Sequence, residues 1–340
     1  MEQQHMFTNR MIRNLLVPVV LEQILNSIMG TADTMMVSNV GSAALSAVSL
    51  VDSINVLLIQ AFSALAAGGA IVCAQYIGQR NYEKANMSAR QVLFIITAIS
   101  VVVSAVCLIF QKPLLRLIFG AVDADVMRAS ETYFFFTALS FPFIAAYDSA
   151  ASIFRAQENT KGPMTISMIS NIMNIGGNAV LIWVFHLGVA GAAISTLVSR
   201  IFCAVVVLWQ LRKDRQPVVV KDYLKIRPDW SMIGRILGLG IPSGIENSMF
   251  QLGKLAIQST VSTLGTAAIA AQAMTNILEN LNGIAAIGVG VGLMTIVGQC
   301  LGAGRKDEAV YYIKKLCVIA EAVIIVSCLI VYILVRPVTI

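Results

Sequence analysis

Residues 15–37 read LLVPVVLEQILNSIMGTADTMMV. The run is apolar and exceeds the about 20 residues a helix needs to cross a bilayer, yet it carries two carboxylates, Glu22 and Asp33. Ionised side chains are costly in hydrocarbon, and those that persist there mark function by default. Their spacing is about three helical turns, so both fall on one face, roughly 16 Å apart along the axis. Asn26 and Met29 lie between them on that face. A membrane helix with one polar stripe implies a hydrophilic cavity beside it.

The composition agrees with a membrane setting. The chain has 340 residues, of which 57% are hydrophobic and 12% charged, whereas a soluble domain carries about 25% charged residues. The net charge of +6 does not point to nucleic acid, because the basic residues sit in short loops between apolar spans, where they set orientation. The first apolar segment has no A-x-A cleavage site and is expected to remain as a span. The six cysteines fall in or beside apolar spans without a C-x-x-C pair and read as packing residues. No P-loop, G-x-S-x-G or H-E-x-x-H motif is present, so neither an enzyme nor an ATP-driven pump is expected, and no cofactor.

Nine spans are predicted: 14–38, 45–74, 91–111, 131–154, 163–185, 188–211, 236–263, 267–298 and 313–335. The loops alternate in basic residues. Eighteen Lys and Arg, including Arg155, fall on the side of the N-terminus and four on the other. This places the N-terminus in the cytoplasm of a multi-pass protein of the plasma or inner membrane.

Shifted by 224 residues, the chain meets itself without a gap. Pro18 falls on Pro242, Glu22 on Glu246, Gln75 on Gln299, Gly78 on Gly302 and Pro113 on Pro337, and 20 of 96 positions are identical. The pattern reads as a duplication. It implies an all-α membrane protein of two parallel-orientation repeats. Residues 1–213 form an N-lobe of six spans, 214–235 a cytoplasmic linker, and 236–340 an incomplete C-lobe with three of an expected six. The chain is therefore expected to be truncated after its ninth helix.

Of nine ionisable residues inside spans, seven are acidic: Glu22, Asp33, Asp52, Asp148, Glu246, Glu279 and Glu321; Arg200 and Lys254 are the basic pair. Intramembrane carboxylates can bind protons or trade them for Na⁺. Asp148 and Glu321 lie near span ends and are expected to reach only the interface. Further polar stripes run along span five (Ser167, Asn171, Asn174, Asn178), span seven (Ser243, Asn247, Gln251, Lys254, Gln258) and span eight (Gln272, Asn276, Glu279). Together with Glu22 and Asn26 these supply the cavity-lining candidates Glu22, Asn26, Asn171, Asn247, Lys254, Gln272, Asn276 and Glu279. Interhelical hydrogen bonding is the bland alternative for any one stripe. Pro18, Pro142 and Pro242 offer bends, and Gly288-x-Gly290-x-Gly292 suits close helix packing.

The chain resembles the multidrug and toxic compound extrusion (MATE) family. The resemblance rests on Pro18 with ADTMMVSNVG (32–41), and on QYIGQRNYEKA (75–85) with its mate QCLGAGRKDEA (299–309). FRAQENTKGPM (154–164), Asn174 and Asn178, and GVAGAAISTLVSR (188–200) extend it over the chain. It implies a V of two helical lobes that exchanges Na⁺ or H⁺ for small organic, often cationic and amphipathic compounds. It also implies that Asp33 is the N-lobe proton or cation site, with Asn174, Asn178 and Thr196 as its polar partners. Glu246 matches the seventh-helix glutamate of a C-lobe cation site. The family often has Asp where Asn178 stands, which removes one N-lobe carboxylate here. No metal beyond a possible Na⁺ is expected, and the partners are the substrate and membrane lipid, with a monomer as the working unit. A lipid-linked precursor flippase of the same superfamily, or a truncated protein without activity, are the rivals. Seven acids against two bases inside the spans argue against holding a pyrophosphate.

Overall fold

The computed structural model describes the chain apart from residues 1–4, 120–122, 214–215, 222, 224–226, 263–265 and 340. It also leaves aside a number of side chains between 255 and 285, and those at 331 and 334–339. The described residues form eleven α-helices: α1 (Asn9–Ser38), α2 (Ser42–Gly78), α3 (Tyr82–Ile109), α4 (Gln111–Phe119), α5 (Ala124–Leu139), α6 (Phe141–Ala156), α7 (Lys161–Ala179), α8 (Val189–Leu211), α9 (Trp230–Ser262), α10 (Thr266–Gly302) and α11 (Lys306–Thr339). A π-helical turn, Val180–Val184, continues α7.

Among the described residues six helical spans are long and apolar enough to cross a membrane on their own, and the α5–α6 pair makes a seventh. The protein is a multi-pass membrane protein. Helical structure among the described residues underlies all nine predicted spans, although those at 236–263 and 313–335 are not among these seven, and two local departures occur. Residues 111–119 form a separate short helix, and the span predicted at 131–154 is bent by 42° between Leu139 and Phe141. Pro142 explains the second: it lacks an N–H, which costs a hydrogen bond inside a helix but none in the first turn, where it stands in α6. Pro18 and Pro242, by contrast, lie inside uninterrupted helices.

Helix ends follow local chemistry. The Thr8 hydroxyl caps α1, the Asn81 side chain caps α3 by accepting from Lys84 N, and Asp229 accepts from the Ser231 and Met232 amides at the start of α9. The two loops singled out in the sequence close in the same way. Asn81 N donates to Tyr76 O and Arg80 N to Ile77 O; 224 residues on, Arg305 N donates to Cys300 O and Gly304 N to Leu301 O. Arg80 and Gly304 both take the left-handed conformation, as a Schellman-type helix end requires. Helix bounds recur at this offset too: α2 and α10 start and end 224 residues apart.

The long helix α2 is the hub, packing against α3, α5 and α6 and also against α9 and α10. One apolar core joins α2, α3, α5, α6 and α8; a second joins Phe7 and Ile12 to Ile296, Cys300, Tyr312 and Leu316. Where α2 crosses α10, Gly78 lies against the Gln299 backbone and Gly302 against the Gln75 backbone, and a Cβ on either would come within 2.1 Å of a carbonyl oxygen. Gly288 and Gly292 similarly let α10 approach Val20 and Leu16 of α1. The linker is strapped to the first half: Val218 and Val220 are buried, and Val218 N and Val219 N donate to the side chains of Gln157 and Asn86.

Candidate functional site

The polar stripes of α1 and α7 face each other. Asn178 Nδ2 donates to Asp33 Oδ1 at 2.6 Å. Asn174 lies one turn away; with its amide turned so that both neighbours are satisfied, its nitrogen donates to Asp33 Oδ1 at 2.8 Å and its oxygen accepts from the Thr196 hydroxyl at 3.3 Å. Ser195, on α8, donates to the Asn174 carbonyl. Farther along, Asn171 Nδ2 and the Ser167 hydroxyl both donate to Asn26 Oδ1, at 3.1 and 3.0 Å. The helical spacing of 167, 171, 174 and 178 holds them on one ridge, so they form a ladder along α1. Asn174 and Asn178 are buried, Asp33 is half-buried and Asn26 is exposed. The structure thus brings together Asp33, Asn174, Asn178 and Thr196, and stacks Asn26 and Asn171 beside them.

Glu22 departs from the expectation that it lines the cavity. It is only 2% exposed. Arg155 Nη2 contacts both its carboxylate oxygens at 3.0 Å, and the Tyr147 hydroxyl donates to Oε1 at 3.1 Å. Arg155 therefore is not a loop cation: the last turn of α6 carries it inward to α1. The same turn is fastened to α10, where the Thr295 hydroxyl donates to Arg155 O and Gln299 Nε2 to Ala156 O. In the loop that follows, burial pushes the Glu158 carboxyl above its usual range, partly opposed by a hydrogen bond from Gln299.

Three further charged residues of the N-terminal half meet partners that the sequence does not show. Asp148, expected at the interface, packs within the N-terminal bundle with Oδ2 fully enclosed. Arg200, given no role by the sequence, donates to the Ser140 hydroxyl at 2.6 Å, at the α5–α6 break. Asp52, also without a role, accepts from the Tyr133 hydroxyl and from Asn55 Nδ2, both at 3.2 Å. The pairings of Tyr133, Tyr147 and Arg155 are not legible in the sequence, because each partner lies 81 to 133 residues away from its carboxylate.

Glu246 is exposed on α9, and among the described residues no hydrogen bond or ion pair joins it to the Asp33 cluster. Asn247 is half-buried next to it. Lys254 Nζ lies 2.9 Å from Glu279 Oε1, linking α9 to α10, and 5.0 Å from the centre of the Phe250 ring. These two candidates form an ion pair with each other. The side chains of Gln258, Gln272 and Asn276 lie outside the described set.

The family model described as MatE matches residues 18–180 and 242–339. The chain belongs to the MatE family. It is 27% identical over 302 residues to the probable multidrug resistance protein YoeA of Bacillus subtilis, covering 86% of this chain and 64% of that one. It is 24% identical over 308 residues to the probable multidrug resistance protein NorM of Thermotoga maritima, covering 88% and 65%. Its fold is similar to that of a MOP superfamily transporter from Pyrococcus furiosus, with a TM-score of 0.89 at 19% identity, covering 96% of this chain and 72% of that one. The chain spans slightly less than two thirds of the length of these curated relatives.

Proposed function

We propose that the chain belongs to a secondary antiporter that exports small organic, often cationic and amphipathic compounds in exchange for Na⁺ or H⁺. The observation that carries this reading is the Asp33 cluster. A carboxylate on a membrane-spanning helix is held by the neutral amides of Asn178 and Asn174 and touches no basic side chain among the described residues. Neutral donors orient the carboxylate without neutralising it, so a proton or Na⁺ remains free to bind. The relatives described as multidrug resistance proteins support the substrate class.

Cation binding at Asp33 biases inward-facing against outward-facing states only in so far as the two states bind it with different affinity. Glu246 is the coupling group of the second half, and substrate binds between the halves. The protein works as a monomer in the plasma or inner membrane with its N-terminus in the cytoplasm. Efflux of a fluorescent cationic dye from vesicles under imposed Na⁺ and H⁺ gradients tests this. Asp33→Asn and Glu246→Gln are expected to uncouple dye movement from the gradient; full gradient-driven efflux in both variants would refute the assignment.

A further inference from the structure

Asp52 lies on α2, outside the ladder that binds α1 to α7. Its Oδ1 takes hydrogen bonds from Asn55 Nδ2 and the Tyr133 hydroxyl, both neutral donors. Asn55 is only 4% exposed, and its own carbonyl oxygen is enclosed without a hydrogen-bond partner. A buried amide oxygen beside a carboxylate, with nothing donating to it, is an unmet acceptor that a bound cation or the proton of a carboxylic acid would satisfy.

Charge balance points the same way. The N-terminal bundle encloses Glu22, Asp33, Asp52 and Asp148 against Arg155 and Arg200. The Glu22–Arg155 contact cancels itself. Asp148 feels both guanidinium groups, most strongly that of Arg155. Asp33 lies within the field of Asp52, and both lie within that of Arg200, which is bound to Ser140 and, among the described residues, hydrogen-bonds to neither. One guanidinium cannot balance three carboxylates, so a single cation at Asp33 leaves the bundle negative.

We infer that Asp52, Asn55 and Tyr133 form a second monovalent-cation site, distinct from the Asp33 cluster, where a proton or Na⁺ binds between carboxylate, amide and phenol oxygens. These are hard oxygen donors, suited to such ions. The groups acting on the site are Asp33 from α1, Asn55 on α2 itself, Tyr133 from α5 and Arg200 from α8. α6, which also packs against α2, carries Asp148 and Arg155. When Na⁺ replaces the proton, the carboxyl O–H bond breaks and the proton passes to solvent. Any role in coupling rests on the proposed antiport, whereas occupancy of the site does not.

The test measures cation binding by the purified full chain in detergent. Equilibrium dialysis with radioactive Na⁺ at mildly alkaline pH is paired with proton uptake on acidification in Na⁺-free medium. Asp33→Asn and Asp52→Asn are each expected to lose one cation per chain, and the double variant both. The two assays show whether the second cation is Na⁺ or a proton. Tyr133→Phe, a milder change that keeps the ring, is expected to weaken the second site several-fold and leave the first. Binding unchanged in both Asp52→Asn and Tyr133→Phe would overturn the site and leave the proposed function standing. Loss confined to the Asp52 variants would keep the site and remove Asp33 from the coupling scheme.

Discussion

Glu22 and Asp33 lie on the same face of the same helix, yet their surroundings share almost nothing. Glu22 is buried against a guanidinium and a phenol. Asp33 is half-buried and, among the described residues, is hydrogen-bonded by amides. The first arrangement neutralises the charge inside the protein and fixes α6 to α1. The second orients a charge and leaves it to be neutralised from outside. An intramembrane carboxylate is thus a functional site or a structural tie according to the partner it receives, and the helix that carries it does not settle which.

Breaking the tie should have the largest effect on stability. Arg155→Met leaves Glu22 buried and unpaired, which costs about 3–5 kcal/mol. Chemical unfolding in detergent should show that loss, and adding Glu22→Gln should recover much of it. If Arg155→Met unfolds like the unaltered protein, Glu22 carries no buried charge and the contrast with Asp33 collapses.

Crowding the α2–α10 crossing comes next. Gly302→Val places side-chain atoms where the Gln75 backbone runs, and overpacking of this kind costs about 1–3 kcal/mol. Gly78→Val should behave alike, because its neighbour Gln299 is placed in the corresponding way. Thermal unfolding of both variants would show whether the crossing tolerates a side chain on one helix and not the other.

At Asp33 the expected effects on folding and on ion response separate. Asp33→Asn should shift unfolding by less than about 1 kcal/mol, since no cationic partner is orphaned. The same change should abolish the Na⁺ or pH dependence of dye efflux. A severe folding defect would mean that Asp33, like Glu22, is a structural tie.

Two smaller effects calibrate the comparison. Lys254 and Glu279 are 38% and 51% exposed, so breaking their pair should cost less than about 1 kcal/mol and be masked by salt. Glu158 tests the sign of a buried carboxyl outside the spans. Its carboxyl titrates higher in the folded protein than in the unfolded chain. The folded state therefore binds more protons, and stability contributed at low pH is lost as pH rises through the folded value. Glu158→Gln should flatten that fall and raise stability slightly at neutral pH, as a pH series of melting curves would show.

The sequence by itself determined the helices, their apolar length and the two matching loops, because these depend on neighbours within a few turns. The Asn171, Asn174 and Asn178 ridge was legible for the same reason, as was the polar face of α1. Proline at 142 announced a break, and the structure put it at Ser140. Tertiary structure alone decided what the carboxylates touch. Arg155 was read as a loop cation because its position after an apolar run fits that role, and only the packing of α6 on α1 turns it inward. Asp52 acquires Tyr133 from across the bundle, while Asp33 forms no ion pair among the described residues. Coulomb and hydrogen-bond energies fall away within a few ångströms of solvent or gap. Which charge meets which is therefore settled by how distant helices pack, and no local spacing in the sequence encodes that.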